Sequence, residues 1–203
     1  MEKEELINRY EYYLKVISEE LQRIFEYQRE YICCQNGCSG CCEKGMYPYS
    51  ELEAEYIKIG YSRLPDEIKE IVKNNLKNLK AELAEHKGEN FLHDCPFLID
   101  GSCCVYMYRG IICRTFGLIT ENSEGKLTIP YCAGTGLNYS KVYDPEKKMI
   151  LEEKVEELGY NVMPKAYNLS RENMMNLSFA KTLGIEFGES KMLIEWLIPS
   201  LLE

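Results

Sequence analysis

Four cysteines fall within nine residues, at Cys34, Cys38, Cys41 and Cys42, with Gly37, Gly40 and Gly45 among and after them. No helical or strand period runs through such a stretch, so its shape must follow from what the thiols bind. Buried cysteines can act as inert small hydrophobes, but these stand among polar residues and glycines and do not resemble a core. Glycines let a short backbone bend around one centre and free its N–H groups to face thiolate or sulfide. Tetrahedral zinc loops and iron–sulfur loops are built this way.

The chain has ten cysteines in 203 residues, all between Cys33 and Cys132. Its hydrophobic fraction of 45% is enough to build a core without staples, which excludes a small disulfide-dense scaffold. The start is charged, so no secretory signal is expected, and no window is apolar enough to predict a membrane span. The expected setting is cytoplasmic, where thiols stay reduced and read as metal ligands or redox groups before disulfides. Acids outnumber bases by 33 to 24, a formal charge of −9. Without a basic cluster the chain lacks the phosphate-neutralising term that nucleic-acid binding needs, so no nucleic-acid partner is expected.

Residues 3–32 read as one long helix, with Leu6, Tyr10, Leu14, Ile17, Leu21 and Ile24 on one face. Ser50 and Glu53 have capping-box spacing and predict a short helix to about Gly60. Pro65 and Asp66 predict a second helix that ends near Gly88. Two hairpins are expected, one turning at Asp100-Gly101, the other pairing 116–120 with 126–129. Asp144 is expected to cap a helix to about Leu158, and Ser170 and Ser190 to open the last two helices. The apolar stretch 192–202 predicts a core-packing helix, with an amphipathic membrane contact as the alternative. The fold class expected is α+β, predominantly helical: a single domain over 1–203 with a small hairpin-containing cysteine-rich core at about 33–137. Helical elements at 3–32 and 145–203 pack around that core.

The remaining cysteines are Cys33, then Cys95 with Cys103 and Cys104 across a turn, then Cys113 and Cys132. In an extended segment, Cys41 and Cys42 project to opposite sides, so one ion takes both only across a sharp bend. The run from Cys34 to Cys41 also has the spacing of a radical S-adenosylmethionine cluster loop. The chain shows no βα repeats for the barrel such enzymes use, and Gly40 stands where an aromatic is usual.

The segment Cys95-Pro-Phe-Leu, Gly101-Ser-Cys103, Val105-Tyr106, Arg109 and Cys113-Arg114 resembles the second motif of the YkgJ-type cysteine-cluster family. That family is named for its CxxCxxCC motif and described as a zinc- or iron-chelating domain. Cys34 to Cys42 resembles its first motif, and Cys132-Ala-Gly-Thr-Gly136 its late element. Flagellin lysine methylases share a related cluster. The resemblance implies Cys34, Cys38, Cys41, Cys42, Cys95, Cys103, Cys113 and Cys132 as metal ligands, with Cys33 and Cys104 as extras. Arg109-Gly110 and Cys132-Ala133 depart from the family, which has proline after each Arg or Cys. Eight ligands permit two closed four-cysteine sites, or one closed and one open site with a spare thiol. The adjacent cysteine pairs favour an iron–sulfur cluster, [4Fe–4S], over zinc.

Arg109 and Arg114 flank Cys113 and are the candidate cofactor-binding residues, able to offset thiolate charge or hold an anion. An ordinary ion pair is the bland alternative. Tyr106 and Tyr108 read as packing, and His93 as a structural histidine rather than a ligand. The chain has two histidines, too few for a histidine-rich catalytic zinc site, and no phosphate loop or nucleophile elbow. The function expected is metal binding, with a redox or protein-modifying role and a protein or peptide as partner or substrate. The alternatives are a non-catalytic zinc-binding module and a methyltransferase-like modifying enzyme. Whether the chain is an enzyme is left open by its residues.

Overall fold

The computed structural model describes residues 3–34, 38–122 and 124–202. In chain order come α1 (Lys3–Tyr27), β1 (Pro48–Ser50), α2 (Glu51–Ser62) and α3 (Asp66–Glu85). The hairpin of β2 (Leu98–Ile99) and β3 (Ser102–Cys103) follows, then a 3-10 turn at Tyr106–Tyr108 and α4 (Ile111–Thr115). Next are β4 (Thr120–Glu121), β5 (Leu127–Thr128), a 3-10 helix at Tyr131–Thr135, β6 (Tyr143–Asp144) and β7 (Met149–Ile150). Helices α5 (Glu152–Glu157), α6 (Arg171–Met175) and α7 (Ser178–Thr182) precede β8 (Ser190–Met192) and α8 (Leu193–Leu202). The four sheets are two-stranded and antiparallel, so the architecture is α+β and predominantly helical. No helix among the described residues is long and apolar enough to cross a membrane.

The chain forms two compact units, one from 1–36 with 114–185, the other from 37–113 with 186–203. In the second unit, α2 starts with the expected capping box: Ser50 Oγ accepts from Glu53 N, and Glu53 Oε2 accepts from Ser50 N. Two further N–H groups at this start, Glu51 N and Leu52 N, donate to the carbonyls of Glu189 and Phe187. The β1–β8 pairing then seats α8 in the core, where Leu193, Ile194, Leu197 and Ile198 pack with Ile57 of α2 and with Val72, Leu76 and Leu79 of α3. Trp196 Nε1 donates to Tyr49 O at 3.1 Å, which locks the helix to the strand pair.

In the first unit, α1 buries Tyr10, Leu14, Ile17 and Leu21 of the expected stripe, with Tyr13 beside them, while Leu6 and Ile24 are half-buried. Tyr13 donates to Met174 O at 2.6 Å and stacks on Phe179 of α7. A smaller core gathers Tyr31, Ile119, Ala133, Tyr139, Val142 and Val155.

Three expectations are corrected. Helix α1 ends at Tyr27 rather than near Ile32, and a turn follows, with Tyr31 N bonded to Gln28 O. The Gln28 side chain is buried there and accepts from Tyr139 Oη and Lys165 N, so its position serves tertiary bonds. Asp144 caps no helix. Its Oδ1 accepts from Glu146 N and Lys147 N, which closes the β6–β7 hairpin and delays the helix to Glu152. Ser190 pairs with Ser50 in β1–β8, and α8 starts at Leu193, where Glu195 Oε2 accepts from Met192 N at 2.7 Å. Ser170 does cap α6, by accepting from Asn173 N.

Leu76 is fully buried in the core that α3 and α8 share. Leu76→Ala is therefore expected to lower unfolding stability by about 2–5 kcal/mol, read from denaturant melts. A loss near zero would contradict this packing.

Candidate metal centre

Seven thiols lie in the unit built from 37–113 and 186–203: Cys38, Cys41, Cys42, Cys95, Cys103, Cys104 and Cys113. The other unit holds Cys33, Cys34 and Cys132. The eight ligands implied by the family resemblance thus fall six and two between the units.

The Cys41–Cys42 segment is bent, not extended. Cys42 N and Glu43 N both bond to Ser39 O, and this turn brings the sulfurs of Cys41 and Cys42 to 3.8 Å. The bend that adjacent ligands require is therefore present. The turn is fastened to the segment carrying Cys95. Gly45 and His93 exchange backbone hydrogen bonds, Cys95 N donates to Cys42 O at 2.8 Å, and the single Tyr47 hydroxyl proton is shared between Cys42 O at 2.9 Å and His93 O at 3.2 Å. His93 is buried with Nδ1 on Asp94 O at 2.8 Å.

From Cys95 the chain enters the β2–β3 hairpin, where Leu98 stands opposite Cys103. Cys103 and Cys104 are successive and project to opposite sides. The charge of Cys103 acts on Cys95, Cys104 and Cys113 and it feels Cys41, whereas the charge of Cys104 acts on Cys95. That favours Cys103 as the inward member. Cys38 is half-buried in the same unit and has no hydrogen bond to another thiol among the described residues.

Cys113 sits on α4, whose start is held from below. Glu53 is completely buried; its Oε1 accepts from Ile111 N at 2.8 Å, while its Oε2 accepts from Ser50 N and Ser50 Oγ. Tyr49 Oη meets both Gly110 N, at 2.9 Å, and Cys113 Sγ, at 3.4 Å. Tyr49 and Glu53 carry no sequence signature as site residues. The capping box did mark Glu53, but as a local device.

Arg109 lies over the Tyr106 ring at 3.7 Å. Its charge favours the thiolates of Cys41, Cys103 and Cys113. Arg114 belongs to the other unit, where it donates to Ser18 Oγ at 2.9 Å. Tyr108 packs on Tyr56, and Arg63 caps its ring and hydroxyl, in line with a packing role. Tyr106 is half-exposed beneath Arg109.

Burial governs the acidity of these thiols, because it penalises the charged form. It raises Cys113 to about 12 and Cys104 to about 12, and lifts Cys95 and Cys103 as well. Cys41 is the exception. The hydrogen bond from Cys42, with help from Arg109, brings it down to about 7, and Cys42 rises in consequence. Of the shifted thiols in this unit, Cys41 is the one that gives up its proton most readily.

In the other unit, buried Asn138 spans two adjacent thiols. Its Oδ1 accepts from Cys33 N at 2.8 Å and from Cys33 Sγ at 3.1 Å. Its Nδ2 donates to Cys34 Sγ at 3.0 Å and to Gly117 O. A Cβ at Gly117 would lie 2.8 Å from Asn138 Nδ2 and 3.0 Å from Cys34 Sγ, so only glycine admits this contact. Cys132 is buried on the 3-10 helix, raised to about 11 by burial and by the charge of Cys34.

Among the described residues, no group of three or more His, Cys, Asp or Glu side chains could hold a metal ion as it stands. The sulfurs are neighbours, not a preformed polyhedron. No protein-family model, curated protein or solved structure matches this chain.

Buried neutral thiols make the fold sensitive to alkali. The folded values of Cys104 and Cys113 lie near 12, above the ordinary 9. The unfolded chain therefore loses these protons first as pH rises. Their contribution is fully present below pH 9 and is lost as pH climbs towards 12. Melts of chelator-treated protein should show the melting temperature falling over that interval, with a smaller fall in Cys113→Ser. An equal fall in that variant would show that burial of Cys113 is not its cause.

Proposed function

We propose that the unit formed by 37–113 and 186–203 is a thiolate metal-binding module that holds an iron–sulfur cluster and has a redox or protein-modifying role. The observation that carries this is convergence: the Cys41–Cys42 turn is bonded to the segment of Cys95, and these thiols, Cys103 and Cys113 act on one another's charge. The donor set fits such a group. It is all sulfur, largely withdrawn from water, free of disulfides, and neighboured by one cation, Arg109. Ligation would draw the sulfurs together and displace their protons, which couples metal affinity to pH.

Cys41, Cys42, Cys95, Cys103 and Cys113 are the first candidates to hold the metal. Cys38 is a further candidate ligand and Arg109 the cofactor-binding residue in the same unit, while Cys34, Cys132 and Arg114 belong to the other unit and any ligand or cofactor-binding role of theirs is a separate proposal. An iron–sulfur centre supplies one-electron transfer when bound. Arg109 offsets its negative charge, and the core of α2, α3 and α8 keeps water from one side. The half-exposed Tyr106 and the exposed Met107 beside Arg109 offer a surface for a protein or peptide partner. Free thiols at all ten positions suit a reducing, cytoplasmic setting. The net charge of −9 directs the proposal away from nucleic acid.

Zinc is the second reading, favoured by one distance. Adjacent sulfurs 3.8 Å apart match the edge of a tetrahedron with metal–sulfur bonds of about 2.3 Å.

Anaerobic purification followed by metal and acid-labile sulfide analysis separates the two. Brown protein with iron and sulfide supports the cluster, colourless protein with stoichiometric zinc supports the second reading, and protein without metal sinks both. Cys38→Ser and Cys113→Ser are expected to lose metal, whereas Cys33→Ser retains it. Full metal content in Cys113→Ser would refute the ligand assignment.

A further inference from the structure

We propose that Tyr49 is a positioning residue for the Cys113 sulfur, donating a hydrogen bond whose direction is set by the backbone of Gly110. This role rests on the reading of the unit as a thiolate metal site. Tyr49 is buried, with its hydroxyl 2.9 Å from Gly110 N and 3.4 Å from Cys113 Sγ. A backbone N–H can only donate, so the phenolic oxygen accepts from Gly110. A phenol has a single proton, and Cys113 Sγ is the acceptor in front of it. Once Cys113 is a thiolate it can only accept, so the bond to sulfur then runs from O–H to S.

The surrounding residues hold this arrangement. A Cβ at Gly110 would lie 2.8 Å from Glu53 Oε1 and 2.9 Å from the Tyr49 ring, so the backbone reaches the hydroxyl only because residue 110 is glycine. The next N–H, Ile111, is bound by Glu53, which also fixes the strand end that carries Tyr49 through Ser50. Trp196 holds the Tyr49 carbonyl. A hydroxyl so placed stabilises negative charge on Cys113 and fixes where that sulfur points. Such supporting hydrogen bonds change metal affinity when removed.

The test uses Co(II) alone as probe, added anaerobically to the full chain, with Tyr61→Phe as control. Tyr61 is buried in the same unit, and its hydroxyl has no hydrogen-bond partner among the described residues. Tyr49→Phe should bind Co(II) about 10–100-fold more weakly, with its sulfur-to-cobalt charge-transfer band moved to lower energy. Tyr61→Phe should match the wild type in both. Wild-type affinity and band position in Tyr49→Phe would overturn the role while leaving the metal reading intact. A wild type that takes up no Co(II) would overturn a mononuclear thiolate site and this role with it. Should Tyr49→Phe fail to fold, the wild-type cobalt–sulfur stretch in D2O decides: a shift supports the O–H donor, and an unmoved stretch overturns it.

Discussion

Glu53 has no exposed surface, and a carboxylate in that position is tolerable only where donors surround it. Ser50 N and Ser50 Oγ meet one oxygen and Ile111 N meets the other. The same side chain thus closes the start of α2 and holds the start of α4, two segments far apart in sequence. Tyr49 lies directly before the cap and Cys113 lies in the short helix that follows Gly110. The position of this thiol is therefore a consequence of a helix cap. Removing the Glu53 carboxylate would take its oxygens from these three donors, each at a cost of about 1–3 kcal/mol.

The thiols themselves are arranged by backbone bonds more than by their own chemistry. The Ser39 turn pairs Cys41 with Cys42, and the exchange between Gly45 and His93 lays that turn beside Cys95. The β2–β3 register sets Cys103 across from Leu98. Burial then keeps most of the sulfurs protonated while the Cys42 hydrogen bond leaves Cys41 as the ready thiolate. A centre whose buried thiols are held mostly neutral must release protons to take a metal.

Much of the fold was legible because its signals are local. The period of α1, the capping box at Ser50 and the Asp100-Gly101 turn each act through neighbours in sequence, and each element is present, although α1 stops short of its expected end. Failures came where a residue's local preference was outcompeted. Asp144 can cap a helix or close a turn with equal chemistry, and the β6–β7 pairing selected the turn. Ser190 was taken by its strand partner Ser50. In the candidate centre, cysteine spacing named the thiols, but not how they divide between the two compact units. Tyr49 and Asn138 were invisible as site residues, since a buried tyrosine or asparagine has no characteristic spacing and acquires its role from contacts across the chain.

The central claim is that these sulfurs share a metal. X-ray absorption at the metal edge of anaerobically purified, full-length protein tests it most directly. The account predicts a first shell of sulfur at about 2.3 Å, with a metal–metal shell besides if the centre is an iron–sulfur cluster. A shell of oxygen and nitrogen, or protein with no bound metal, would contradict it.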